Sequence, residues 1–353
     1  MSKVRIGIIG CGAIGSVHAD AFAKVADAEV VALCDVIPDK LRAKAERHHV
    51  GKTYDDYHKL LADPEIDAVS VCMPNHMHAP IAIDAFKAGK HVFLEKPMSL
   101  NAELGKSILA ARDAAGKKLQ MGMVWRQTPE ATVVKEAIDK GRLGEIYQMR
   151  VKMIRRRGIP GLGGWFTTKA MSGGGGLIDL AVHFLDLSMW LSSYWEPTRV
   201  SAKTYSKFGT PIRDYHYVSM WAGPPKYDGV FDVDDYAAGL VRFGGKATLS
   251  FEVAWACNAE AESYIELLGT KGGVKVGSKD GTVLHTEMDG RLADVELFYD
   301  KTPDRFVLEM EKFVAAVQGR GEVAATGEEG VVTMKLLDAI YQSSSLDREV
   351  EIR

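Results

Sequence analysis

Between residue 3 and about residue 125, short Val/Ile-rich runs alternate with longer segments in which apolar positions recur every three or four places. A period of two predicts strands and a period near 3.6 predicts helices. In order the runs are the strand VRIGIIG and helix SVHADAFAKV, the strand EVVALCD and helix DKLRAKAERHH, then a weak strand at GKTY and the helix YHKLLADP. The strand AVSVCMP, helix APIAIDAFKAG, strand HVFLEKP, helix NAELGKSILAARDAAG and strand KLQMGMVW complete the set. Six strands separated by helices predict a doubly wound parallel sheet. Past the helix PEATVVKEAIDKGRLGE the pattern changes, because strands now follow strands: IYQMRVKMIRR, RVSAKTYSKF, DYAAGLVRFGGKATLSFEVAWA, ESYIELLGTKGGVKV and TVLHTEM. Such a run predicts a large, mostly antiparallel open sheet in an α+β domain. The expected partition is therefore 1–124 and 125–353. An apolar helix at 173–187 interrupts the second region, the helices DRFVLEMEKFVAAVQG and GEEGVVTMKLLDAIYQSS close the chain, and WAGPPKYDGVFDVDD reads as a long loop. No internal repeat is visible.

Composition narrows the picture without redrawing it. A chain of 353 residues that is 46% hydrophobic can bury a sizeable core, in keeping with two domains. With 44 basic and 47 acidic residues the net charge is -3, and the helical segments mix both signs. That pattern points away from nucleic acid or an acidic membrane surface as the main partner. Cys11, Cys34, Cys72 and Cys257 are scattered without paired metal-ligand spacing and read as reduced core thiols. The N-terminus passes from MSK directly into a strand and no apolar run approaches about eighteen residues, so a soluble cytoplasmic protein is expected.

The first candidate chemistry is GCGAIG, Gly10 to Gly15, which matches G-x-G-x-x-G between a strand and a helix. Gly10 would make the tight turn, Gly12 would let the backbone approach a pyrophosphate, and Gly15 would let helix and strand pack closely. The N–H groups around Ala13 and Ile14 and the helix dipole would hold the phosphates. Asp35 ends the second strand, where a carboxylate can hydrogen-bond the ribose hydroxyls. The same carboxylate would repel a 2'-phosphate, and no arginine directly follows it, so NAD is expected rather than NADP.

The second candidate lies in GGGGLIDLAVHFLDL. Asp179, His183 and Asp186 stand at i, i+4 and i+7, so a regular α-helix would gather them into one polar stripe on an otherwise apolar rod. Burying that stripe is costly unless each member has a partner. From residue type alone it can be part of an active site, a satisfied buried pair, or a metal site, since carboxylate and imidazole at helical spacing suit zinc.

The turn GCGAIG, PNHMH after the fourth strand, EKP at residues 95–97, GRLGE at 141–145 and GGGLIDLAVHFLD at 174–186 together resemble the glucose–fructose oxidoreductase, inositol dehydrogenase and MocA family of nicotinamide-dependent sugar and polyol oxidoreductases. The resemblance runs nearly end to end. It implies an N-terminal Rossmann domain, and a C-terminal α+β domain whose open sheet forms the contact of a homodimer or homotetramer. It also implies a catalytic Lys96 from EKP with Asp179 and His183 from the glycine-rich helix, and cofactor contacts at Pro74, Asn75, His78, Glu95 and Lys96. Ala181 stands where the family often has glycine.

These residue types suit oxidation of a secondary alcohol, which removes a hydride from carbon and a proton from oxygen. The reaction needs a base and a cation for the developing alkoxide. His183 titrates in the useful range, Asp179 would orient it or the substrate, and Lys96 would supply charge at the carboxyl end of the sheet. The glycines ahead of Asp179 would admit cofactor or substrate closely. Arg126, Arg155 to Arg157 and Trp165 can line a sugar site or form an oligomer contact, and Tyr236 is a further candidate wall. Asn75 reads equally as a helix cap. His48 and His49 read as a solvated helix end. The expectation is an NAD(H)-dependent oxidoreductase acting on a sugar, inositol or related polyol. The alternatives are redox-assisted glycoside cleavage or elimination with tightly held NAD, and a non-catalytic dinucleotide-binding sensor.

Overall fold

A computed structural model describes residues 2–217, 220–277, 281–300 and 304–353. The first stretch runs β1 (Val4–Ile9), α1 (Ala13–Phe22), β2 (Ala28–Cys34), α2 (Pro38–His48), β3 (Lys52–Tyr54), α3 (Tyr57–Leu61), β4 (Ala68–Val71), α4 (His78–Lys87), β5 (His91–Glu95), α5 (Ala102–Ala115) and β6 (Leu119–Gly122). All six strands are parallel, in the order β3-β2-β1-β4-β5-β6. That is the doubly wound arrangement with a crevice where the strand order reverses at β1 and β4. The near-continuous apolar runs of β1, β4 and β5 follow from burial on both faces. Side chains punctuate the helices: Asn101 accepts from the Leu104 N–H at the start of α5 at 3.0 Å, and Asp56 accepts from His58 at α3 at 2.9 Å.

The remaining elements are α6 (Pro129–Asp139), β7 (Ile146–Ile154), α7 (Lys169–Ser172), α8 (Val182–Ser192), β8 (Arg199–Tyr205), β9 (Tyr236–Phe243), β10 (Ala247–Ala254), β11 (Glu262–Gly269), β12 (Gly272–Val276), β13 (Val283–Met288), β14 (Arg291–Glu296), α9 (Arg305–Val317), α10 (Gly327–Leu346) and β15 (Val350–Glu351). Nine strands form a second sheet ordered β14-β13-β12-β11-β7-β10-β9-β8-β15. Every pairing is antiparallel except β7 with β10. Ala237, Val241, Leu249, Phe251, Val253, Ile265 and Leu267 are buried on one face. The other face carries ion pairs such as Arg150 with Glu266 and Lys152 with Glu262. β14 and β15 escaped the sequence reading, the first because RLADVE mixes charged and apolar residues without a strict alternation and the second because it has two residues.

The chain divides into two compact units, residues 1–127 with 303–331, and residues 128–302 with 332–353. The sequence pattern predicts a contiguous split at 124/125, whereas a distant segment returns to the first unit. The cause is α9, whose Phe313 is fully buried and meets Phe93 edge-on at 5.6 Å and Phe22 at 6.5 Å. A parallel sheet needs both faces covered, and α9 supplies part of that cover from a place far along the chain. The four cysteines are free and buried, and burial pushes the thiols of Cys11 and Cys34 up to about 12. Among the described residues, no helix is long and apolar enough to cross a membrane.

Candidate active site

The glycine turn joins β1 to α1. Gly10 has φ of +99°, and a Cβ there would strike the Cys72 carbonyl, so only glycine turns the chain at this point. A Cβ on Gly15 would collide with the Gly10 carbonyl, which accounts for the close packing of helix on strand. Gly12 differs: a Cβ there would meet nothing within 4 Å. Its glycine leaves space rather than relieving a clash, as a pyrophosphate lying against the backbone requires. Ala13 and Ile14 open α1 next to it. Asp35, buried at the end of β2, accepts from the Cys11 N–H at 2.8 Å and the Ile37 N–H at 2.9 Å. The carboxylate is thereby tied to the turn itself. Lys40 Nζ lies 3.9 Å from it, a cation near Asp35 that the sequence reading passed over. These groups fit a dinucleotide: an open cradle at a helix N-terminus, and an anchored acceptor for hydroxyls.

Glu95, expected at the cofactor, has protein partners on both sides. Its carboxylate accepts from the Lys96 N–H at 3.1 Å and faces the buried His18 ring nitrogen at 3.0 Å. The other ring nitrogen of His18 meets Ser70 Oγ at 2.8 Å and Cys72 Sγ at 3.2 Å. The neighbouring carboxylate and thiol raise the basicity of His18 against its complete burial. Glu95 therefore acts inward, fixing the strand end that presents half-buried Lys96. His78 is also a structural staple: its nitrogens sit 2.7 Å from the Pro97 carbonyl and 2.8 Å from the Met73 carbonyl, and burial lowers its pKa. Pro74 is half-buried and precedes a short 3-10 turn, Asn75–Met77, in which Asn75 is buried.

The glycine-rich segment breaks the expected α-helical stripe. Residues Leu177–Ala181 form a π-helical turn, and α8 begins only at Val182. The wider turn interrupts the register between Asp179 and the His183–Asp186 segment, so the three side chains do not form one regular stripe. Asp179 is 8% exposed and its Oδ2 accepts from the Trp255 indole N–H at 2.9 Å. His183 is half-buried and Asp186 is buried.

A clamp holds this turn in place. Asp234 Oδ1 accepts from the Gly175 N–H at 2.9 Å and from the Tyr341 hydroxyl at 2.7 Å, while Oδ2 accepts from the Leu177 N–H at 2.7 Å. A carboxylate at a helix N-terminus satisfies donors that would otherwise lack partners. Burial pushes the Asp234 pKa up, against the pull of those donors. A Cβ on Gly174 would fall on the Tyr341 hydroxyl and one on Gly175 on the Asp234 carbonyl. These two glycines thus answer to Tyr341 and Asp234, where sequence reasoning assigned them to ligand access.

The other candidates lie elsewhere. Arg126 is 2% exposed and pairs with Glu329 at 2.8 Å, a buried ion pair rather than a sugar-facing group. Arg157 donates to the Cys257 carbonyl and to Asn258, both at 2.8 Å, and covers the Phe208 ring at 4.6 Å. Trp165 is half-buried and stacks on Phe166 at 3.7 Å, within an aromatic cluster that includes Trp255. Tyr236 alternates with buried Ala237 and so faces the opposite side of the sheet, where its hydroxyl donates to Glu252 at 2.8 Å. It does not join Asp179. His48 is half-buried rather than solvated, and its pKa is lowered by burial. Among the described residues no three His, Cys, Asp or Glu side chains come together as metal ligands. Sequence reasoning missed Asp234, Tyr341 and Trp255. The only signal was the acidic pair in DVDDY, which read as loop.

Residues 4–123 match the family GFO_IDH_MocA, described as "Oxidoreductase family, NAD-binding Rossmann fold". Residues 132–275 match the GFO/IDH/MocA C-terminal domain. The D-glucoside 3-dehydrogenase of Escherichia coli (strain K12) is 30% identical over 99% of this chain and 98% of its own length. The inositol 2-dehydrogenase of Rhizobium meliloti (strain 1021) is 29% identical over 99% of both. The solved structure of levoglucosan dehydrogenase in complex with NADH and levoglucosan superposes with a TM-score of 0.87 at 23% identity, covering 99% of this chain and 100% of that one. At that identity the likeness is one of fold.

Proposed function

Because the chain belongs to the Gfo/Idh/MocA family of NAD-binding oxidoreductases, we propose that it moves a hydride between NAD(H) and a secondary ring hydroxyl of a sugar, inositol or related polyol. The nicotinamide, when bound, supplies the hydride acceptor. The Gly10–Gly15 turn would hold the pyrophosphate against the N-terminus of α1, and Asp35 would take the ribose hydroxyls. Asp35 favours NAD over NADP by repelling a 2'-phosphate, a preference that Lys40 tempers. His183 takes the hydroxyl proton, Lys96 stabilises the developing alkoxide, and Asp179 orients the imidazole or the substrate. Asp179 carries this reading: a carboxylate held on a π-turn by a buried donor, four residues ahead of a half-buried imidazole. Relatives named for a glucoside and for inositol support the substrate class.

Absorbance of NADH against a panel of sugars and inositols tests the reading. Turnover is expected with at least one polyol, and Lys96→Ala and His183→Ala should each lose on the order of a hundred-fold or more in kcat while NADH still binds. Unchanged turnover in both variants would remove the assignment. Release of NADH in step with oxidised product separates net oxidation from transient redox chemistry and from a sensor. We further propose that the open, charged face of the second sheet pairs copies of the chain into a dimer or tetramer, which light scattering after gel filtration decides.

A further inference from the structure

Trp255 lies just past the end of β10, fully buried, with its backbone fixed on both sides: its N–H donates to the Asp235 carbonyl at 2.8 Å and its carbonyl accepts from Gly158 at 2.7 Å. Its ring is packed among Phe166, Leu180 and Tyr215. The only polar atom of that side chain, the indole nitrogen, points at Asp179 Oδ2 at 2.9 Å. An indole N–H donates and cannot accept, so the oxygen it meets must offer a lone pair. Such a bond favours the ionised carboxylate and fixes its rotation. The Asp234–Tyr341 clamp fixes the backbone beneath it by an independent route. Backbone and side chain of Asp179 are thus held from two directions within one unit.

We infer that Trp255 is a positioning residue of the reaction, whose indole N–H keeps Asp179 ionised and aimed and so leaves His183 as the group that carries the proton. The inference rests on the part given to Asp179 under the proposed function. Trp255→Phe keeps an aromatic ring in the cluster and deletes the donor. Losing one hydrogen bond to a charged group is expected to lower kcat by about ten-fold or more. The acidic limb of the kcat/KM profile should move to higher pH, because the charged carboxylate is no longer favoured, with NADH affinity unchanged. In an Asp179→Asn background the same substitution should cost nothing further. A structural role alone would lower the melting temperature and leave the acidic limb in place.

A second readout needs neither turnover nor the Trp255 variant. In the 15N spectrum of the wild-type protein, one of the six tryptophan indole signals should shift with pH and be displaced in Asp179→Asn. An acidic limb that stays in place, a multiplicative loss in the double variant, or the absence of any displaced indole signal each overturns the inference. Failure of the proposed function is distinct, since there Asp179→Asn alone would leave kcat unchanged.

Discussion

Asp234 offers the sharpest quantitative test of how the site is built. Asp234→Ala would strand three buried donors at once: the N–H groups of Gly175 and Leu177 and the hydroxyl of Tyr341. A buried donor left without a partner costs about 1–3 kcal/mol, so the simple sum is roughly 3–9 kcal/mol. Two effects reduce it. The methyl group leaves room for water to reach some of the donors, and deleting the carboxylate relieves the burial that pushes its pKa up. A net loss near 3 kcal/mol is expected, or about 6–12 °C in melting temperature at the ~2–4 °C per kcal/mol usual for larger domains. Tyr341→Phe removes one donor along with its share of the acceptor and should cost about 1 kcal/mol. Asp234→Asn places an amide among donors and should fall between the two. Calorimetry gives the order, and hydrogen exchange at residues 173–181 locates it. An Asp234→Ala loss under about 1 kcal/mol, or a Tyr341→Phe loss equal to it, would refute the clamp.

The glycine turn separates binding from stability: Gly12→Ala should leave the melting temperature unchanged, since its Cβ meets nothing, while weakening NADH binding in a fluorescence titration. Gly15→Ala should destabilise the fold, because its Cβ runs into the Gly10 carbonyl. His91 carries a pH effect, since burial lowers its pKa from 6.5 to about 4 while its Nδ1 accepts from the Lys118 N–H at 3.0 Å. The unfolded chain takes up this proton first, so the contribution is complete above about pH 6.5 and is lost as pH falls towards about 4. Urea midpoints at pH 7.5 and 4.5 should therefore diverge less in His91→Asn than in the parent, and equal divergence would exclude the effect. Phe313→Ala should cost about 3–5 kcal/mol by opening the aromatic cluster between α9 and the first sheet. Denaturant unfolding measures it.

Local pattern carries local geometry, and so much of this protein was legible from residue order alone. The six parallel strands, the open sheet of the second unit and the turn at Gly10–Gly15 are set by periodicity and backbone permissiveness, which act over a few neighbours. Asp35 was legible for the same reason, as the last residue of a predicted strand. The destinations of polar side chains were not. Glu95, His78, Arg126 and Tyr236 are types that bind ligands, yet each is satisfied by His18, backbone carbonyls, Glu329 or Glu252. The π-turn beneath Asp179 is held by Asp234, 57 positions from Leu177; Asp234 is itself held by Tyr341, 107 positions from it, and the indole donor lies 76 positions from Asp179. No periodicity records such distances. A buried polar atom must find a partner wherever packing brings one, so tertiary contact alone decided which donor each of these carboxylates meets.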